Sequence, residues 1–109
     1  MDRIKVVIFE PGKAGRVDYI PNKLKNMQRV VGGHIERVHL TRDMVIICNE
    51  EGRLKGLPEN RFGICGTFFV AGDDGGEDFV SLSREQVEIL TSSLSQPSSA
   101  GGEESEAGE

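Results

Sequence analysis

Two clusters of side chains in this sequence have the types and spacing that chemistry needs. The first is Asp73, Asp74, Glu77 and Asp78, set among Gly72, Gly75 and Gly76. Carboxylates this close together can gather oxygens around a hard cation such as calcium or magnesium. Their spacing departs from the EF-hand loop, which needs Asp-x-Asp/Asn-x-Asp/Asn-Gly and a Glu at the last position. Asp and Gly also tolerate positive φ in hairpins, so a plain solvated turn accounts for the same string. The second cluster is Asn49, Glu50 and Glu51 with Asn60 and Arg61. Paired carboxylates near a guanidinium can act as an acid–base couple with an anion anchor. With Arg53 and Lys55 close in sequence, a salt-bridged surface is the simpler account. Asn60 and Arg61 follow Pro58 in a stretch with neither helical nor strand periodicity, and irregular loops on rigid scaffolds carry binding residues more often than regular elements do. Arg61 is the best single candidate for touching a ligand. Asn49, Glu50, Asn60, Arg61, Asp73 and Asp74 form the candidate binding set.

Other chemistries lack their signs. His34 and His39, five apart in a strand candidate, face opposite sides of a flat strand and have no third ligand near them. Cys48 and Cys65 sit inside apolar runs, outside any Cys-x-x-Cys pair, and read as buried free thiols. No Ser or Cys stands in a nucleophile-elbow context, and neither the phosphate-binding loop nor the dinucleotide fingerprint occurs. No catalytic residue, metal or cofactor is therefore expected. The basic residues (Lys23, Lys25, Arg29, Arg37, Arg53, Lys55, Arg61) are scattered and lack a strand-borne aromatic stacking pair, so nucleic acid is not an expected partner.

The elements that must position these residues follow from hydrophobic pattern. The chain has 109 residues, the length of one domain, and a formal net charge of -5. Glu103, Glu104, Glu106 and Glu109 carry four of those charges, which leaves the rest of the chain nearly neutral. No stretch approaches the ~20 apolar residues of a membrane span, and no long apolar leader opens the chain. A cytoplasmic protein without membrane contact is expected.

Ile4–Phe9 reads as a strand stopped by Pro11-Gly12, and Arg16–Ile20 as its partner, with Val17 and Tyr19 on the half-buried side. Leu24, Met27, Val30 and Val31 then recur at helical spacing, with Asn22 as the expected N-cap and Gly32-Gly33 as the stop. Ile35–Leu40 and Met44–Cys48 form a hairpin about Thr41-Arg42-Asp43. Its first strand has Val38 and Leu40 opposing Ile35, which allows a bulge. Ile64–Val70 and Phe79–Leu82 are the fifth and sixth strands. Ser83-Arg84-Glu85-Gln86 matches a capping box and opens a second helix with Val87, Leu90 and Leu94 on one face. Residues 96–109, rich in Gly, Ser and Glu, are expected to be disordered, because so little apolar surface cannot offset ordering entropy. The order β-β-α-β-β-loop-β-β-α predicts an α+β domain over residues 1–95. It has a mainly antiparallel sheet of five to six strands and two helices packed on one face.

The chain resembles a group of short proteins of unknown function found in bacteriophages, plasmids, conjugative elements and gut bacteria. The resemblance rests on Phe9-Glu10-Pro11-Gly12-Lys13, Gly32-Gly33-His34-Ile35-Glu36, Ile47-Cys48-Asn49-Glu50-Glu51-Gly52, Gly56-Leu57-Pro58-Glu59-Asn60-Arg61 and the run from Gly66 to Leu82. These pieces span residues 3 to 94. His34 stands where that group is expected to carry Tyr. The resemblance implies no activity and no catalytic residues. It implies a context in which small proteins block host defence by binding a host protein or a nucleotide signal. A non-enzymatic binding protein is thus the leading expectation. The alternatives are an accessory or structural interaction protein, or a small metal-dependent hydrolase using Glu50, Glu51, Asp73 and Asp74. A homodimer is compatible with each.

Overall fold

The computed structural model describes residues 2–93. The expected tail and Leu94 lie outside the described residues. Five strands and two helices follow in the order β1 (Arg3–Phe9), β2 (Arg16–Pro21), α1 (Leu24–Val31), β3 (Ile35–Thr41), β4 (Met44–Asn49), β5 (Phe68–Gly72) and α2 (Arg84–Ser93). A single 3-10 turn at Arg61–Gly63 precedes β5. The sheet order is β2-β1-β5-β4-β3, and every pairing is antiparallel. The α+β class and the antiparallel sheet are as the sequence predicts.

The helices do not share a face. Every residue of β4 and β5 is buried, so both surfaces of the sheet must be covered. Ile4, Val6, Ile8, Val45, Ile47 and Phe69 point to one side and pack against Met27 and Val31 of α1. Val7, Phe9, Ile46, Phe68 and Val70 point to the other and pack against Leu82 and Leu90 of α2. Each such side chain removed from water contributes about 1.5–3 kcal/mol. Phe9 and Phe68 stack with ring centroids 5.2 Å apart.

Several local expectations are corrected by tertiary contacts. Asn22 does not cap α1: the cap position is Lys23, with no side-chain bond. The Asn22 amide instead donates to the Phe79 carbonyl at 3.2 Å. Helix α1 does end as expected, with Gly32 left-handed at φ 81° and its N–H donating to Gln28. The fifth strand starts later than its apolar run, because residues 64–66 turn away to the preceding loop. Asn60 N–H donates to the Ile64 carbonyl and Gly66 N–H to the Pro58 carbonyl, both at 2.7 Å. No sixth strand forms among the described residues. Val80 exchanges two backbone hydrogen bonds with Gly72, and then Leu82 donates to Lys5 of β1. A segment that crosses from one strand to the next so quickly cannot build a ladder.

The bulge in β3 is present, as a register shift between His39 and Thr41. Val17 and Tyr19 are open to solvent, because α2 packs against β1 and leaves that corner of the face uncovered. The capping box of α2 is complete. Gln86 N–H donates to Ser83 Oγ at 3.1 Å, and Ser83 N–H to Gln86 Oε1 at 2.8 Å.

Candidate functional site

Strand β4 separates the candidate residues into two groups. Asn49 ends it, while Met44 begins it opposite Gly72, the residue before Asp73. At about 3.3 Å per residue its ends are ~17 Å apart. Asn49, Glu50, Asn60 and Arg61 therefore lie at one end of the sheet, and Asp73 and Asp74 at the other. The structure does not bring the six together, and Glu50 and Glu51 do not converge with Asp73 and Asp74. No group of three or more His, Cys, Asp or Glu capable of holding a metal ion occurs among the described residues.

At the first end, two buried amides substitute for missing backbone partners. Asn60 is 7% exposed. Its Nδ2 donates to the carbonyls of Phe9 at 3.0 Å and Gly66 at 2.9 Å, and its Oδ1 accepts from Arg61 N–H at 2.8 Å. Asn49 is equally buried: its Nδ2 donates to the Val31 carbonyl at 3.1 Å and its Oδ1 accepts from Glu51 N–H at 2.7 Å. Both side chains hold the fold together, and Asn49 also lines two clefts at this end. Gly52 completes this junction, because a Cβ there would overlap the Cys65 carbonyl oxygen. Cys48 and Cys65 are both buried free thiols. Burial, with a smaller push from Glu36, raises the Cys48 thiol above its ordinary pKa and makes it a poor nucleophile.

On this frame sits a short exposed loop. Arg61 lies over the Phe9 ring, 5.3 Å from its centroid, and donates to the Lys13 carbonyl at 3.4 Å. Burial lowers its pKa, yet a guanidinium stays charged. Phe62 follows at φ 60° and is the only non-glycine residue with positive φ among those described. An aromatic side chain in that region is a genuine outlier, worth about 1 kcal/mol of strain or more. The strain is held from both sides: Ile64 N–H donates back to the Arg61 carbonyl, and Arg53 Nη2 donates to the Gly63 carbonyl at 2.9 Å. The Phe62 ring touches Phe68 with centroids 6.1 Å apart, and remains 45% exposed. Leu54, next to Arg53, is 88% exposed. Glu50 is exposed beside a small cleft of about 110 Å³ that Arg53 also lines.

At the second end, the acidic turn folds over the α1 face of the sheet. Asp73 is engaged within the protein: Oδ1 accepts from Gly75 N–H at 2.9 Å, and Oδ2 lies 2.8 Å from His39 Nε2. The Gly75 hydrogen bond and then His39 hold its carboxyl below the usual carboxylate range. Asp74 accepts from Gly76 N–H at 2.9 Å, as a turn residue does. A cleft of about 370 Å³ lies between this turn and β3, lined by Arg37, His39, Asp73, Glu77, Asp78 and Phe79. Arg37 sits 5.6 Å from the centroid of the Phe79 ring.

Phe62, Arg37, His39 and Phe79 were not among the sequence candidates. For Arg37 and His39 a signal was available. They share the parity of Ile35, and so point to the α1 face beside it. No local pattern announces the strain at Phe62, which arises only once Asn60 and Arg53 fix the loop.

Residues 4–95 match a family model described as a domain of unknown function, DUF3846. Nothing in that description indicates catalysis. No curated protein and no solved structure matches the chain. Among the described residues, no helix is long and apolar enough to cross a membrane.

Proposed function

We propose, from the premise that this chain belongs to the DUF3846 family, that it is a small binding protein of a phage or other mobile element. It acts without catalysis, by occupying a host protein, and a block on host defence is the role that fits its resemblance to mobile-element proteins. Its contact is the Arg61–Phe62 loop, with Arg53 and Leu54 beside it.

One observation carries this reading: Phe62 is held at φ 60° with nearly half its surface exposed. Strain fixed from both sides, on a residue that could relax if it were Gly, is a recurrent mark of a functional position. An exposed aromatic flanked by arginines is also the composition of an interface anchor. The exposed Phe62 and Leu54 offer apolar surface, which suits a protein partner better than a nucleotide. The cleft at the other end is lined by Asp73, Glu77 and Asp78 together with Arg37 and His39, and carboxylates that outnumber Arg37 oppose a multiply charged phosphate.

The test is affinity capture from a bacterial host with the wild-type chain and with Phe62→Gly and Arg61→Ala. Phe62→Gly relieves the strain while losing the Phe68 contact, so its stability stays within about 1 kcal/mol of wild type. The expected result is one host protein retained by the wild type and lost by both variants. Retention by both would remove this loop as the contact. Metal-dependent turnover of a phosphoester panel, with nothing captured, would favour the hydrolase reading.

A further inference from the structure

A second site, independent of that loop, lies at the opposite end of the sheet. The 370 Å³ cleft adjoins a second one of about 230 Å³, and Arg37, Glu77, Asp78 and Phe79 line both. The second cavity adds apolar walls from Leu24 and Met27 of α1 and Ile35 of β3. Leu24 is 56% exposed and lines this space, so its apolar side chain is available to a ligand there.

The charged side chains of this cleft are exposed, Asp73 in part, and only loosely paired: Arg37 acts on Asp73 through space without an ion-pair contact. His39 takes Asp73. Arg37, Glu77 and Asp78 make no ion pair within 4.0 Å among the described residues, although all three line the same two cavities. The Arg37 guanidinium carbon lies 5.6 Å from the Phe79 ring centroid, and its N–H donors make no hydrogen bond or ion pair among the described residues, so they are open to a planar carboxylate. Opposite charges that share a cavity without touching leave a gap that a zwitterion can bridge.

We propose that this cleft binds a free α-amino acid with an apolar side chain. Its carboxylate meets Arg37, its ammonium meets Glu77 and Asp78, and its side chain lies against Leu24, Met27 and Ile35. A nucleotide is disfavoured by the three carboxylates, and a purely apolar ligand makes no use of the charged side chains. Binding of a small zwitterion uses both signs and the apolar wall together.

The experiment titrates the full chain with L-leucine, N-acetyl-L-leucine and L-leucinamide, following backbone amide signals by NMR and the affinity by calorimetry. L-leucine is expected to bind saturably and to shift the signals of Gly75, Gly76 and Phe79. Each blocked form, lacking one charge, loses about tenfold or more in affinity. Arg37→Gln should no longer distinguish leucine from leucinamide. Glu77→Gln with Asp78→Asn should no longer distinguish leucine from N-acetyl-leucine. These substitutions lie on the surface and leave the core untouched, so the fold survives them. No saturable response to millimolar leucine, methionine or phenylalanine would overturn the proposal. Equal binding of the blocked forms, or shifts confined to residues outside the cleft, would overturn it as well.

Discussion

The two ends of the sheet are secured by different means. Where β1 and β4 finish, side-chain amides do the work of backbone. Asn60 and Asn49 are buried and reach across 51 and 18 residues of sequence to carbonyls of Phe9 and Val31. Where β5 finishes, the backbone closes its own turn through the Gly72–Val80 pair, and the side chains add one part-buried amide, Asn22 to the Phe79 carbonyl, and the surface pair His39–Asp73. A buried amide that loses its partners leaves orphaned carbonyls, whereas a surface pair that breaks is replaced by water. The first end can therefore hold a strained aromatic in place, while the second keeps its charged side chains at the surface.

Substitutions should separate the two ends in a graded series. Asn60→Ala strands the carbonyls of Phe9 and Gly66 together and should cost about 3 kcal/mol, read as a lower urea midpoint at unchanged slope. An effect no larger than that of His39→Ala would collapse the contrast. Gly52→Ala forces the loop off the Cys65 carbonyl and should cost about 2 kcal/mol by the same measurement. Ser83→Ala, which opens the capping box of α2 away from either end, should cost about 1 kcal/mol and calibrates the scale.

The smallest effect is expected at Asp73. Its folded-state pKa is depressed, so the stabilisation is complete above the unfolded carboxylate value and is lost as pH falls through the lower folded value. The Gly75 amide signal should accordingly hold its position down to pH values below the usual carboxylate range. His39→Ala should move that midpoint only part of the way back, because the Gly75 hydrogen bond remains. A full return to the ordinary value would mean that the turn depends on His39 after all.

Much of this architecture is legible from residue patterns, and the misses have identifiable causes. Continuous apolar runs such as Val45-Ile46-Ile47-Cys48 and Phe68-Phe69-Val70-Ala71 mark central strands. They also imply two covered faces, the signal that contradicts helices on a single side. The capping box at Ser83 and the stop at Gly32 are local, and local reading finds them. Asn22 shows the opposite case: its residue type suits a cap, but a carbonyl 57 residues away claims its amide. Asn49 and Asn60 stand out in sequence as polar residues beside apolar runs. Their burial, which gives them structural work, depends on contacts no window of sequence contains. The cleft beside Arg37 is likewise assembled from α1, β3 and the acidic turn, so neither its volume nor its unpaired charges are visible until those elements meet.

The strand order carries a consequence for how the chain is made. The two hairpins, β1–β2 and β3–β4, form from neighbouring residues, but they never pair with each other. Each joins the sheet only through β5, the last strand to leave the ribosome. Until Phe68–Gly72 emerges, the inner edges of β1 and β4 are both bare and apolar, the state in which strands find wrong partners. Assembly is thus timed by the final strand, and its long-range closure should set the folding rate. In pulse-labelling hydrogen exchange, the amides of β5 should gain protection no earlier than those of either hairpin; earlier protection would place the nucleus elsewhere.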